Sequence, residues 1–207
     1  MIFDPEHPPK GTVRSWLDAR ANRDDIAVVF PETSQTLTWQ TLRDEARDLA
    51  QKMAALGIEK GESVAILHPN GRDGLVATYA TLYGGFRATM INLAAGPDAI
   101  AYALEHSGAR FALVHPSQRV TFADVAPKGV SELTPETLTP TTELADIGPD
   151  DHALLMYTSG TTGKPKGVVH SQSSLLAGGW TAAVAHGLSE KDRGFAFCRS
   201  ITSTVCA

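Results

Sequence analysis

Ser63-Val64-Ala65-Ile66-Leu67 is a five-residue run without a charge, preceded by Gly61-Glu62 and followed by His68-Pro69-Asn70-Gly71. A short apolar run bounded by turn residues predicts a strand buried on both faces, as in a parallel sheet covered by helices. The flanking segments agree. Upstream, Thr38 is placed to cap a helix through Trp39, Leu42, Ala46, Leu49, Ala50 and Met53, whose three- and four-residue spacing makes one apolar stripe, and Gly57 suits its left-handed end. Downstream, a helix is expected over Arg72 to Tyr83, stopped by Gly84-Gly85. A strand follows over Ala88 to Leu93, then a helix over Asp98 to Ser107 closed by Gly108, then a strand over Phe111 to Val114. Ile26 to Phe30 reads as one more short strand. Strand-helix-strand-helix-strand order with apolar strands predicts an α/β fold built on a parallel sheet flanked by helices.

The pattern breaks after Lys128. Gly129 to Asp151 holds six acids, three prolines and five threonines and no Lys or Arg, which reads as a solvated linker with at most one short strand. An apolar strand resumes at Ala153 to Tyr157, and a helix is expected over Ser173 to His186. The expected organisation is a first α/β subdomain over 1–128, an acidic Pro/Thr-rich linker over 129–151, the incomplete start of a second α/β subdomain over 152–193, and a tail over 194–207. Cut off in this way, the strand and helix of the second unit should lack partners and expose apolar surface, so self-association is expected.

Composition narrows the function. The 207 residues carry 18 Lys and Arg against 23 Asp and Glu, a net charge of −5, and 43% are hydrophobic. That is ordinary globular composition. Its mild acidity argues against a dedicated nucleic-acid binder. The two cysteines, Cys198 and Cys206, have seven residues between them, which suits neither a disulfide framework nor a metal site. No leader is legible in residues 1–10. The longest weakly polar run, Gly74 to Phe86, falls short of the roughly 20 apolar residues a spanning helix needs, and a cytoplasmic protein without a membrane span is expected.

The chemistry concentrates in residues 158–167, Thr-Ser-Gly-Thr-Thr-Gly-Lys-Pro-Lys-Gly. Glycines let main-chain N–H groups approach an anion, and Thr158, Ser159, Thr161 and Thr162 add hydroxyl donors, while Lys164 and Lys166 add charge. Together they would form a cradle for polyphosphate; a polar β-turn between two strands is the other reading of these residues. It is not a Walker A loop, because only two residues separate Gly160 from Gly163 and Pro165 follows Lys164. Pro165 biases the chain toward an extended exit, a strand rather than a helix. His170 just beyond the loop, His68, His106, Trp39 and Trp180 are weaker candidates, better explained as packed or surface residues.

This ten-residue string strongly resembles the phosphate-binding signature of the adenylate-forming superfamily, which includes acyl-CoA synthetases, luciferase-like ligases and peptide-synthetase adenylation domains. Leu37-Thr38-Trp39, Gly61 to Ile66, Gly84-Gly85-Phe86 and Ile91-Asn92 also look like that family's first subdomain, so the resemblance runs from about Val13 to Arg193. It implies the truncated N-terminal domain of an acid–thiol ligase. A carboxylic acid would attack the α-phosphate of Mg·ATP to give acyl-adenylate and pyrophosphate, and coenzyme A would then displace AMP to give a thioester. Fatty acid metabolism is one setting such enzymes serve. By resemblance, Thr158, Ser159, Gly160, Thr161, Thr162 and Gly163 hold the β- and γ-phosphates, Lys166 is the lysine the family keeps after the proline, and Lys164 sits where it accepts several residues. No catalytic residue or metal ligand is assigned. The family's adenine-contacting aromatic segment, Thr-Glu pair for magnesium, ribose-binding Asp and C-terminal lysine domain have no counterpart in the sequence, so the chain is expected to be inactive alone. A carrier-protein-loading adenylation domain and a non-catalytic nucleotide-binding module are the alternatives.

The tail carries its own expectation. After Asp192-Arg193-Gly194 the resemblance implies a segment like Leu-Pro-Leu-Tyr-His-Ile-Asn-Gly, whereas the chain has Cys198-Arg-Ser-Ile-Thr-Ser-Thr-Val-Cys206. Codons TGY CGN TCN ATH ACN TCN ACN GTN TGY, begun one base earlier, become YTG YCG NTC NAT HAC NTC NAC NGT NTG. These can encode Leu-Pro-Leu-Tyr-His-Ile-Asn-Gly-Leu without a gap. A one-base slip near codons 193–197 is therefore expected, and Cys198 and Cys206 are given no role.

Overall fold

The computed structural model describes residues 4–22, 24–134, 142–158, 165–189 and 192. The elements are α1 (Val13–Arg20), β1 (Ile26–Phe30), β2 (Gln35–Thr38), α2 (Trp39–Ala55), β3 (Ser63–Leu67), α3 (Arg72–Gly84), β4 (Arg87–Met90), α4 (Pro97–His106) and β5 (Phe111–Val114). After a single 3-10 turn come α5 (Arg119–Val125), β6 (Ser131–Glu132), β7 (His152–Thr158), β8 (Lys166–Ser171) and α6 (Gln172–Ala185). β3 lies at the centre of the sheet, and all five of its residues are buried.

β3 pairs in parallel with β4 on one side and β5 on the other, and the six-stranded sheet runs β6-β5-β3-β4-β7-β8. Alternation sorts its side chains into two cores. Val64 and Ile66 face α2 and α3, whereas Ala65 and Leu67 face α4 and α5. β1 and β2 form a separate two-stranded hairpin whose Leu37 packs into the first core.

Local chemistry explains the element ends. The Thr38 hydroxyl accepts from the Thr41 N–H at 3.1 Å and caps α2. Gly85 ends α3 at φ +80°, and a Cβ there would collide with Ile147 Cγ2, so the position needs glycine both for its backbone and for space. β4 stops at Met90, short of the expected Leu93, because Asn92 turns the chain: its side chain accepts from Ala94 N–H at 2.9 Å and its carbonyl from Ala95 N–H at 3.1 Å.

Three expectations are corrected. β7 and β8 do not start a second sheet: β7 pairs in parallel with β4, through Ala88–Leu154 and Thr89–Leu155, and extends the same sheet. Nor does β7 lack partners, since β4 and β8 flank it and Ala153, Leu154 and Leu155 are buried. Residues 142–151, before it, are tied to the body at several points, while Glu143, Ala145, Asp146, Pro149 and Asp150 stay exposed. Arg14 donates to the carbonyls of Tyr83 at 2.6 Å and Ala145 at 2.9 Å, Gln51 donates to the Thr142 carbonyl at 3.3 Å, and Lys60 pairs with Asp151 at 2.8 Å. α6 is likewise anchored. Its buried Gln172 accepts from Val13 N–H at 2.9 Å and donates to the Leu82 carbonyl at 3.3 Å, joining it to α1 and α3. Exposed large apolar side chains remain nearby at Val168, Val169, Val184 and Leu188.

Candidate phosphate-binding site

β7 leaves the sheet at the edge where the parallel strands β3, β4 and β5 also end, the edge at which open α/β sheets take their ligands. It overshoots its last pair with β4, at Leu155, by three residues, and β8 returns antiparallel to it. Residues 159–164 thus connect the two arms of a projecting hairpin. Pro165 enters β8 as its fixed φ suits, so the exit is a strand as expected from the sequence.

The structure brings together two of the expected site residues. Thr158 and Lys166 form the last ladder pair before the loop, both side chains are exposed, and the Thr158 hydroxyl donates to the Lys166 carbonyl at 3.5 Å. Ser159, Gly160, Thr161, Thr162, Gly163 and Lys164 lie outside the described residues, as do Cys198, Cys206 and the tail. Gly167, the next residue inward, does not need a positive φ. A Cβ there would make ordinary contact with Tyr157 Cε1 at 3.6 Å and His106 Cε1 at 3.8 Å but a tight one with Leu155 Cδ1 at 3.0 Å, so a side chain enters only if Leu155 gives by a few tenths of an ångström.

That close packing belongs to a cluster which sequence reasoning missed. His106 Nδ1 lies 3.0 Å from the Tyr157 hydroxyl oxygen, and the Tyr157 hydroxyl also reaches the Ala103 carbonyl at 3.3 Å. Tyr102 stacks on His106 with ring centroids 5.3 Å apart, and both rings meet Tyr157 edge-on. Burial, with Tyr102 adding to it, pushes the Tyr157 hydroxyl up to about 12, so it stays a proton donor through the neutral range. The available signal was the four-residue spacing of Tyr102 and His106, which puts both on one face of a helix.

The other candidates sit apart from the hairpin mouth. His68 follows β3 and His115 follows β5, with the rings edge-to-face at 5.5 Å. Burial, reinforced by His115, lowers the His68 pKa, and its Nδ1 is buried without a hydrogen bond. His170 pairs with Leu154 within the ladder. Trp39 lies under the Arg20 guanidinium, and the Trp180 indole N–H donates to the Asp4 carbonyl at 2.7 Å. Among the described residues no group of three His, Cys, Asp or Glu side chains could hold a metal ion, and no helix is long and apolar enough to cross a membrane.

Among the described residues, a mainly parallel sheet flanked by helices ends in the β7–β8 hairpin, with Thr158 and Lys166 at its mouth. The chain belongs to the AMP-binding enzyme family, whose pattern it matches over residues 16–199. It is 29% identical over 204 residues to the 2-succinylbenzoate–CoA ligase of Bacillus licheniformis, covering 93% of this chain and 39% of that protein. It is 32% identical over 198 residues to the sulfoacetate–CoA ligase of Cupriavidus necator, covering 88% of this chain and 39% of that one. Its fold superposes on the o-succinylbenzoate CoA synthetase of Bacillus subtilis in complex with an acyl-adenylate intermediate, with a TM-score of 0.78 and 28% identity over 90% of this chain and 50% of that one. The chain spans about two fifths of the length of these curated relatives.

Proposed function

We propose that this chain is the phosphate-loop-bearing part of an ATP-dependent acyl-CoA synthetase, an AMP-forming acid–thiol ligase. The observation that carries the reading is the hairpin: Thr158 and Lys166 are paired at its mouth, where β7 runs past its last pair with β4. The CoA ligases among its relatives support the choice of coenzyme A as acceptor. In the first step pyrophosphate is the leaving group, so charge builds on the β- and γ-phosphates. Donors and a lysine fixed around them would stabilise that charge without reorganising. Thr158 to Gly163 and Lys166 take that role here, with Lys164 as a lesser contributor. Magnesium arrives with ATP as part of the substrate, and no residue of this chain is assigned to it. A small-molecule carboxylic acid is the second substrate, and a cytoplasmic setting goes with the proposal.

The division at 129–151 is retained only as a connection, and the slip near codons 193–197 remains the proposed origin of the tail. Self-association is also kept. Val168 and Val169 are exposed on β8, which has one ladder neighbour among the described residues, and light scattering on the purified chain should find species larger than a monomer.

The test has two parts. The 207-residue chain alone should give no carboxylate-dependent ATP–pyrophosphate exchange, because the family's ribose, magnesium and C-terminal lysine elements are not in it. Sequencing codons 190–207 and the following kilobase, then assaying the restored frame, should recover exchange that depends on one class of acid. Nucleotide binding without exchange for any acid would instead favour the non-catalytic module.

A further inference from the structure

At the carboxyl edge of the sheet, away from the hairpin, two histidines face each other. His68 is the first residue after β3 and His115 the first after β5. The strands are parallel neighbours whose last ladder pair is Leu67 with Val114, and the His115 N–H donates to the Leu67 carbonyl at 3.0 Å. From here the chain leaves toward opposite faces. β3 feeds α3, which packs on the first core. β5 feeds the 3-10 turn Pro116–Gln118 and then α5, whose Phe122 packs on the second. The two rings meet edge-to-face across that parting, with centroids 5.5 Å apart.

Both rings are placed as uncharged imidazoles. His115 Nδ1 accepts from the Ser117 N–H at 3.2 Å and caps the 3-10 turn. An imidazolium carries a proton on that nitrogen and accepts nothing, so charging His115 breaks the cap. His68 Nδ1 is buried and has no hydrogen-bond partner among the described residues. A proton there would be a buried donor without an acceptor, facing a second ring that also charges. The first turn of α3 presses on the same segment: a Cβ on Gly74 would stand 2.7 Å from the Pro69 carbonyl oxygen and 3.1 Å from His68 Cβ. Pinned in this way, residues 68 and 69 can give only together with that turn.

The charges around the pair do not relieve it. Asp73 on α3 favours a charged His68, but 67% of its side chain is exposed and Arg72 Nη1 stands 3.7 Å from its carboxylate. Arg72 is in turn paired with Glu45 on α2, and Arg119 on α5 is taken up by Glu132 at 2.7 Å. Burial, reinforced by His115, outweighs Asp73 and holds the His68 pKa below its ordinary value of 6.5.

We propose that His68 and His115 form a pH-sensitive latch across the carboxyl ends of β3 and β5: while both rings are neutral it holds the entry to α3 and the 3-10 turn against the sheet, and protonation releases them. A histidine kept neutral in the closed form and free to charge in the open one binds more protons when open. The latch is therefore at full strength above pH 6.5 and weakens as pH falls below it. Each such ring favours opening by up to about tenfold between pH 7.5 and pH 5.5. The latch does not depend on what residues 158–167 bind.

The test is amide hydrogen exchange on the purified 207-residue chain at pH 7.5 and pH 5.5, with rates corrected for the effect of pH on the exchange chemistry. The N–H groups of Leu75, His115, Ser117 and Gln118 bond to Gly71, Leu67 and His115 in the closed form. Their protection should fall by about three- to tenfold or more at pH 5.5, while that of α2 and β7 holds. His68→Phe keeps an aromatic ring, His115→Asn keeps a capping acceptor, and neither replacement can charge. The double variant should hold its protection at both pH values to within about twofold. If it does not fold, the wild-type rings decide: in proton NMR, charging of His68 should run parallel with the loss of protection at Leu75 and Ser117. Equal wild-type protection at both pH values would overturn the proposal. So would a His68 ring that charges while those amides stay protected, since it would then have turned over in place. An equal loss in the folded double variant, or a loss spread over the whole sheet, would overturn it too.

Discussion

β3 and β8 are both short strands of one sheet, and they differ in every respect that matters for function. β3 has two parallel neighbours and helices on both faces, and each of its residues is buried. β8 has β7 alone beside it among the described residues, and four of its six residues are exposed. Burial on all sides leaves no exposed polar group: the central strand carries packing and one buried hydroxyl pair, Ser63 with Thr89 at 2.5 Å. The outer strand leaves the Lys166 side chain exposed, as the proposed phosphate contact requires, together with weak registration and exposed valines.

The largest expected effect sets the two strands directly against each other. Ile66→Asp would put a charge where 1% of the side chain is exposed, facing α2 and α3, and should abolish the cooperative unfolding transition in urea. Val168→Asp, at 40% exposure, should shift stability by no more than about 1 kcal/mol. Comparable losses in the two would erase the distinction.

A second pair sharpens the account of glycine. Gly167→Ala drives a Cβ to 3.0 Å from Leu155 Cδ1 and should destabilise by about 1–3 kcal/mol in urea unfolding. Gly178→Ala, in α6 with nothing within 4 Å of the new Cβ, should stabilise by about 0.5–1 kcal/mol through helix propensity. Opposite signs are the expected outcome. Stabilisation by both would mean the hairpin mouth is looser than its geometry.

How much of this was legible in the sequence follows from range. β3 and β5 were read at their true bounds because an apolar run between turns needs no tertiary information, and α2 because its stripe and its Thr38 cap are local. The short α1 escaped the reading because its cap is a reciprocal Thr12–Ser15 pair with no acidic residue to mark it. That β7 enters the sheet beside β4 escaped it because partners more than sixty residues apart leave no local periodicity. The loop string was legible as a string, since neighbours in sequence make one cradle. The His106–Tyr157 bond joins residues 51 apart and was not.

The smallest effect concerns how β7 is tethered at its other end. The Lys60 ammonium, with the Gly148 N–H, holds the Asp151 carboxyl below its ordinary value of 3.8. A carboxylate depressed in the folded state contributes stability above its unfolded value and loses it as pH falls through the folded one. Between pH 5 and pH 3 the wild-type chain should therefore lose slightly more stability than Asp151→Asn, measured as urea midpoints. Equal losses would leave the Lys60 pair without a thermodynamic role.

The central claim is that the open hairpin holds a polyphosphate between its arms. It is tested most directly by titrating Mg·ATP into the 207-residue chain, its Lys166→Ala variant and its Lys164→Ala variant. The account predicts one saturable site, weakened by about ten- to a hundredfold in Lys166→Ala and by clearly less in Lys164→Ala. No saturable binding by the wild-type chain, or equal losses in the two variants, would contradict it.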